Sequence, residues 1–249
     1  MIKSGCVKSK IDDRDFKFHL RFNTKVHLPD RIDLRETQCI PDALDQGDLG
    51  SCTANASSNA LRFCLKKDKE VDFQPSRLYI YYFSRLIENS VDNDSGCQIR
   101  DVLKAIHTYG ACSEDIWPYE VTKFKELPNA NCVRLGKNHI CGFTYLSVNQ
   151  TLFDIKNALY RGFPIIFGLY IYESFPVEKE HVPIPDVSSE TLSGGHCMNI
   201  IGCDDKLQIF IVQNSWGKEA GINGCFFIPY SYLLDSDLAF DFYTILNFD

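Results

Sequence analysis

One cysteine and one histidine, far apart in the chain, have glycine neighbours that suit a reactive site. Cys52 follows Gly50-Ser51 at the start of a helical pattern, and His196 follows Gly194-Gly195. A helix N-terminus stabilises a thiolate, because its unpaired N–H groups and the helix dipole favour negative charge. Glycines beside a histidine leave room for the backbone of a bound chain. The two residues together predict attack by a thiolate, with an imidazole as general acid and base.

Two side-chain amides can assist this pair. Gln46 precedes the cysteine by six residues, so its N–H groups can reach an oxyanion that forms beside Cys52. Asn214 is followed by Ser215-Trp216, which places a side-chain amide beside an indole. A lone cysteine in a helix is more often a small buried residue than a nucleophile. The prediction therefore rests on the order and separation of all these residues.

The composition excludes several classes of protein. The chain has 249 residues, of which 45% are hydrophobic and 24% charged, which is enough to bury one large core or two small ones. Its formal net charge of −7 is opposite to what neutralises phosphates, so we expect no general nucleic-acid binding. The longest apolar runs are too short to span a bilayer, so we expect no membrane segment.

The cysteines and the first residues favour a reducing, intracellular setting. Eleven cysteines is an odd number, and none form a C-x-x-C pair, which disfavours a structural zinc site. Residues 1–10 lack the apolar segment of a secretory signal peptide. A glycan on the sequon at Asn55 would block Cys52. We expect an intracellular protein; if its source is a virus, packaging in a virus particle stays open.

A helix beginning after Ser51 must position the cysteine. Ser51 is a good N-cap residue, and small or apolar residues recur at helical spacing up to Cys64. The other predicted helices are 79–86, 99–106 and 152–159. Beyond about residue 140, runs rich in Ile, Val, Phe and Tyr predict strands at 164–172, 198–203, 207–213, 224–229 and 241–246.

A helical half followed by a β half predicts an α+β fold with two subdomains that share a cleft. The expected division is a mainly helical subdomain at 29–140, with the nucleophile, and a mainly β subdomain at 141–249, with the histidine and asparagine. Residues 1–28 are polar and weakly periodic, so we interpret them as an extension rather than a core element. Two roles stay open for them: a short inhibitory propeptide that lies along the cleft or packs beside it, or a surface segment that adds stability.

Several stretches, in the same order along the chain, resemble the papain-like cysteine peptidases of the cathepsin type. The separation of Cys52 and His196 also falls within the roughly 130–150 residues typical of that family. The resemblance is strongest to a branch found in bacteria, archaea and large DNA viruses. The stretches are 45–47, 50–55, 75–78, 94–96, 99–101, 117–119, 194–196 and 214–217.

The resemblance implies a papain-like fold, with a helical left subdomain and a β-barrel-like right subdomain around a cleft. It also implies hydrolysis of peptide bonds through a thioester acyl-enzyme, without metal or organic cofactor. Cys52 is then the nucleophile, His196 its partner and Asn214 the residue that orients the imidazole. The oxyanion hole is formed by the Cys52 backbone N–H and the Gln46 side chain, and Trp216 covers the His–Asn bond.

The resemblance also implies a substrate groove and a set of partners. Gly96 and Gly195 are expected to accommodate the substrate backbone, and Cys97, Ile165 and Cys197 to line the main specificity pocket. Ordinary core packing is an equally open interpretation of these three side chains. The expected partners are peptide or protein substrates and proteinaceous inhibitors.

Two other functions stay open at this point. A catalytically silent homologue would act by binding alone, but such proteins typically lose the cysteine, the histidine or the glutamine, and this chain keeps all three. A transglutaminase-type acyl transferase also uses a cysteine and then a histidine. The asparagine and the upstream Gln46 favour hydrolysis instead.

Overall fold

Helices dominate the first half of the chain and strands the second, as the sequence predicts. The computed structural model describes residues 4–10, 12–22, 26–69, 71–139 and 143–247. The helices in these ranges are α1 (Phe18–Arg21), α2 (Cys52–Lys69), α3 (Arg77–Ile87), α4 (Ile99–Tyr109), α5 (Ala130–His139), α6 (Leu152–Tyr160) and α7 (Tyr230–Leu233), with short 3-10 turns at Leu34–Thr37 and Val121–Lys123.

Local signals set the ends of the predicted helices. The Ser76 hydroxyl accepts the Tyr79 N–H and so caps the start of α3, and Thr151 caps α6 by accepting the Asp154 N–H. Gly110, at φ +73°, ends α4 in a conformation that other residues avoid. The helix predicted after Ser51 is confirmed by α2, which begins at Cys52.

The strands form one large antiparallel sheet and one small parallel pair. They are β1 (Cys6–Val7), β2 (Arg31–Asp33), β3 (Cys97–Gln98), β4 (Phe143–Ser147), β5 (Ile165–Tyr172), β6 (Leu192–Asp204), β7 (Ile209–Gln213), β8 (Cys225–Pro229) and β9 (Ala239–Asn247). The large sheet has the order β4-β9-β5-β6-β7-β8, and β2 pairs with β6. Helix α2 lies between this sheet, which it contacts at β6 and β9, and the helices α3 and α4.

The structure adds elements that the sequence patterns did not predict. Strand β6 begins at Leu192, so His196 lies within a strand instead of preceding one. Strand β4 and helix α5 have no counterpart among the predicted elements. Strand β2 lies within residues 29–140 yet joins the large sheet. Strand β2 pairs with β6, and β4 with β9, across long stretches of chain. Pairing over such a distance cannot be recognised from the local spacing of residue types.

The N-terminal segment contributes to the core, contrary to its interpretation as a pure extension. Phe18 is fully buried and packs against the rings of Phe22 and Phe163, with centroid distances of 4.7 and 6.3 Å. Asp15 forms an ion pair with Arg100 at 2.7 Å, and both side chains are at most 9% exposed. The guanidinium also donates to the carbonyl of Lys10. These contacts tie residues before β2 to α4.

We expect Arg100→Met to lower the free energy of unfolding by about 3–5 kcal/mol, because it leaves the buried Asp15 carboxylate without its cationic partner. Lys104→Met is the matched control, since Lys104 pairs with Asp101 on the same helix but is 40% exposed; it should change that free energy by less than about 1 kcal/mol. Urea denaturation of the two variants measures both values. Equal losses of unfolding free energy in the two variants would contradict the expected contribution of the buried Asp15–Arg100 pair.

Candidate active site

Cys52 is the first residue of α2, and its thiol is completely buried. The backbone N–H groups of Cys197, Gly5 and Thr53 lie near the sulfur and lower its pKa. Burial nevertheless dominates and raises the pKa of this thiol well above its ordinary value, because a thiolate loses its hydration there. Since Cys197 follows His196 on β6, the structure brings the sulfur to the strand that carries the histidine.

Asn214 holds the imidazole of His196 in a defined tautomer. Asn214 Oδ1 lies 2.7 Å from His196 Nε2 and accepts the Ser215 backbone N–H, also at 2.7 Å. A backbone N–H can only donate, so this atom is the amide oxygen, and Nε2 must be the donor in the second bond. In the neutral ring, Nδ1 is therefore the basic nitrogen.

The imidazole is buried and covered by an indole. Burial lowers the pKa of His196 to about 4, although its bond to Asn214 acts in the opposite direction. Trp216 stacks on the ring with a centroid distance of 4.8 Å and an angle of 29°. Nδ1 has no hydrogen-bond partner among the described residues, so the expected thiolate–imidazolium pair is not formed in this structure.

The Gln46 amide is 1% exposed and is linked to the Asn214 segment. Its Nε2 donates to the Leu49 carbonyl at 3.0 Å, and its Oε1 accepts the Ser215 hydroxyl at 2.7 Å. The Gln46 N–H also donates to the Ser215 carbonyl at 2.9 Å. Ser215 thus joins the glutamine to the asparagine, a role that sequence reasoning missed although Ser215 lies directly beside Asn214.

A segment near the N-terminus, residues 4–10, occupies the groove beside Cys52; we call it the strap. Its strand β1 pairs in parallel with β3, with Cys6 opposite Cys97. The Cys97 N–H donates to the Gly5 carbonyl at 2.8 Å, and the Gly5 N–H donates to the Gly195 carbonyl at 3.1 Å. The strap therefore runs between the two walls that were expected to accommodate a substrate backbone.

Glycine is required on both walls of the groove. A Cβ atom on Gly96, which has a φ of +70°, would lie 2.1 Å from the Gly5 carbonyl oxygen. A Cβ atom on Gly195 would lie 2.2 Å from the Cys6 carbonyl oxygen. Side chains at either position would exclude an extended backbone from the groove.

Two of the three side chains expected in the specificity pocket lie beside Cys6 of the strap. Burial raises the pKa of the Cys6 thiol, and the neighbouring Cys197 thiol raises it further; Cys97 is the register partner of Cys6 on β3. Ile165 is not brought to this pocket. It pairs with Ile200, and because side chains alternate along a strand, it lies on the opposite face of the sheet from Cys197.

Three further findings bear on the expected site. The described cysteines are all free, and Cys141 lies outside the described residues. Within the described ranges, no group of three or more His, Cys, Asp or Glu side chains is placed to hold a metal ion. None of the helices in those ranges has the length and apolar character needed to cross a membrane.

Comparison of the sequence with known proteins points to one family. The model of the papain family of cysteine proteases matches residues 28–232. An uncharacterized peptidase C1-like protein of Acanthamoeba polyphaga mimivirus is 41% identical over 266 aligned positions, which cover 97% of this chain and 86% of that protein.

Comparison of the structure gives the same family and confirms the expected α+β papain-like fold. Xylellain, a cysteine protease from Xylella fastidiosa, superposes with a TM-score of 0.90 at 34% identity and covers 99% of this chain and 97% of its own. ProCathepsin B S9 from Trypanosoma congolense superposes with a TM-score of 0.78 at 15% identity over 98% and 85% of the two chains, a likeness of fold alone. The chain therefore belongs to the papain family and is a cysteine protease.

Proposed function

We propose that the chain hydrolyses peptide bonds with Cys52 as nucleophile, His196 as acid and base, and Asn214 as the residue that orients the imidazole. The hydrogen bond between Asn214 Oδ1 and His196 Nε2 carries this assignment, because it leaves Nδ1 as the basic nitrogen. The closeness of the Cys52 sulfur to the Cys197 N–H supports it, since Cys197 is the residue next to His196. The matches to peptidases give the acyl-transferase and silent-homologue alternatives no support.

In the proposed reaction, His196 Nδ1 takes the thiol proton and the sulfur attacks the substrate carbonyl carbon. The negative charge that develops on the carbonyl oxygen is stabilised by the Cys52 backbone N–H and by the Gln46 amide, each donor contributing about 2.7–4 kcal/mol in comparable hydrolases. The imidazolium then protonates the leaving amine, and a thioester remains on the sulfur. Water, activated by His196, hydrolyses the thioester and frees the thiol.

The groove defines what the enzyme binds. Peptide or protein substrates would lie extended between Gly96 and Gly195, where these glycines leave room for a backbone. Cys97 and Cys197 would line the pocket for one substrate side chain. Proteinaceous inhibitors would enter the same groove.

The proposal also assigns the functional residues to different parts of the chain. The nucleophile belongs to the mainly helical part, residues 29–140, and the histidine and asparagine to the mainly β part, residues 141–249. Residues 1–28 supply the strap, which we assign as a built-in inhibitor. The Gly5 backbone is bonded to both walls of the groove, through its N–H to Gly195 and through its carbonyl to Cys97, so the strap fills the place of a substrate backbone.

Two anchors hold the strap on the β part and on α4. The Ser9 N–H donates to the Asp241 carboxylate at 2.6 Å, and Arg100 binds the Lys10 carbonyl. At Gly5 the strap lies very close to the loop before α2, because a Cβ atom on Gly5 would be 2.0 Å from the Gly50 carbonyl oxygen. Gly5 is therefore the position at which a single added side chain would displace the strap.

We expect Cys52→Ala to lower kcat/KM for peptide hydrolysis by about 10³-fold or more, both in the wild-type chain and in a Gly5→Val chain, because it removes the nucleophile. Covalent labelling by a peptidyl epoxide, followed by mass spectrometry, should be lost in the same variant. Cys39→Ala is the control, since Cys39 is a half-buried thiol outside the groove. Full activity in Cys52→Ala would refute the assignment.

Gly5→Val should raise kcat/KM for a small peptide substrate at least about tenfold, because destabilising the seated strap by about 1.4 kcal/mol shifts its occupancy by that factor. Val7→Ala should leave kcat/KM within about twofold, since the Val7 side chain is 47% exposed and its backbone pairing is retained. If Gly5→Val lowers thermal stability without raising activity, the strap is a stabilising segment and not an inhibitor.

The pH dependence of thiol alkylation should differ between the seated and the displaced strap. Because burial raises the pKa of Cys52, thiolate is scarce at neutral pH, and the rate of alkylation by iodoacetamide in the wild-type chain should increase from about pH 7 to about pH 10. In Gly5→Val, pairing with the His196 imidazolium should stabilise the thiolate and give a plateau below about pH 7. Mass spectrometry of the Cys52 peptide separates this thiol from the others, and identical profiles for the two chains would contradict the expectation.

A further inference from the structure

The two proposed oxyanion donors lie on either side of a glycine-containing loop. Gln46 lies before it and Cys52 after it, with Gly47 and Gly50 between them. Gly47 has a φ of +57°, and a Cβ atom there would meet nothing within 4 Å, so the loop is exposed at this residue. Contacts from outside the loop can therefore add to its internal bonds in setting the separation of the two donors.

The hydroxyl of Tyr119 bridges both ends of this loop. It donates to the Gln46 carbonyl at 2.9 Å and lies 2.5 Å from the Ser51 hydroxyl. A tyrosine hydroxyl has one proton, so Ser51 must be the donor in the second bond. One oxygen atom is thus bonded to the residue that carries one oxyanion donor and to the residue that precedes the other.

Arg77, at the start of α3, reaches the same two ends. Its Nη1 donates to the Asp45 carbonyl at 2.7 Å and to Asn55 Oδ1 at 3.1 Å. Asn55 Nδ2 in turn donates to the Ser51 carbonyl at 2.9 Å and to its hydroxyl at 3.0 Å. The residue before Gln46 and the residue before Cys52 are therefore both held by one guanidinium.

The guanidinium and the tyrosine ring also fix each other. The Arg77 guanidinium lies 3.7 Å from the Tyr119 ring centroid, and Glu114 binds it in a bidentate pair with N–O distances of 2.7 and 2.9 Å. Arg77 is only 8% exposed. Because Glu114 offsets the positive charge of the guanidinium, we expect Arg77 to act through the geometry of its hydrogen bonds and not through its charge alone.

We propose that Tyr119 and Arg77 form a clamp that sets the distance between the Gln46 side chain and the Cys52 N–H, and so act as positioning residues for the oxyanion hole. This inference rests on the proposed peptidase function. Oxyanion donors act only at about 2.7–3.1 Å from the developing charge, and a misplacement of about 1 Å can cost about 10²-fold in rate. Neither residue touches the reacting atoms, so each acts through the loop.

Tyr119→Phe tests the clamp, because it keeps the ring that stacks on Arg77 and removes both hydroxyl bonds. Under conditions in which the full chain hydrolyses a peptide, we expect kcat to fall about ten- to hundredfold with KM changed by less than about twofold. Alkylation of Cys52 by iodoacetamide forms no oxyanion, so its rate should stay within about twofold. Tyr82→Phe, on α3 and packed against Phe83, is the control and should change neither rate.

A double-mutant cycle shows whether Tyr119 acts through Gln46. In a Gln46→Ala chain, Tyr119→Phe should cost clearly less than in the wild type, since the donor that it positions is already absent. Arg77→Lys keeps the positive charge but loses the planar guanidinium with its several N–H donors. It should reproduce the loss of kcat at an unchanged alkylation rate. The preserved alkylation rate shows that these variants fold.

The outcomes separate the clamp from the peptidase assignment. A wild-type chain that hydrolyses peptides while Tyr119→Phe keeps its kcat overturns the clamp alone. The clamp is also wrong if the losses in the cycle are additive, or if alkylation falls as much as hydrolysis. A chain in which neither wild type nor Gly5→Val hydrolyses any peptide overturns the proposed function, and the clamp with it.

Discussion

The arrangement of the site depends on the packing of the first turns of α2 against β6. The Cys52 sulfur lies near the Cys197 N–H, and further along both elements Asn199 Nδ2 donates to the Ala56 carbonyl at 2.9 Å. A buried polar group must be paired, so these bonds allow little sliding of the helix along the strand. Because His196 precedes Cys197, the interface that orders the core also determines where the imidazole stands relative to the thiol.

Side-chain bonds then join the loops around this interface into one unit. Ser215 connects the Gln46 amide to the segment that holds Asn214, while Tyr119 connects the Gln46 backbone to the start of α2. The proposed oxyanion donor Gln46 and the residue that holds the imidazole are thereby fixed to the same framework. Pre-organised donors of this kind need not reorganise when charge develops in a reaction.

Burial decides the charge of the reactive groups in this structure. With the strap seated, loss of hydration raises the pKa of Cys52 and lowers that of His196, so the uncharged form of each is favoured. The same two groups would stabilise each other as an ion pair if they could approach. Under the proposed function, the strap would therefore oppose the reaction in two ways: it fills the groove, and it keeps water from the thiol and the imidazole.

Local patterns in the sequence were sufficient for α2, α3, α4 and α6, because apolar spacing and caps such as Ser76 and Thr151 act within a few residues. The candidate residues of the site and the glycines of the groove could also be recognised from the sequence. Only the tertiary structure decided that β2 joins the large sheet, that Phe18 enters the core, that Ile165 faces away from the pocket and that Tyr119 holds the loop before Cys52. These features result from strand register and from hydrogen bonds between segments that are distant in the chain. Neither can be recognised from the local spacing of residue types.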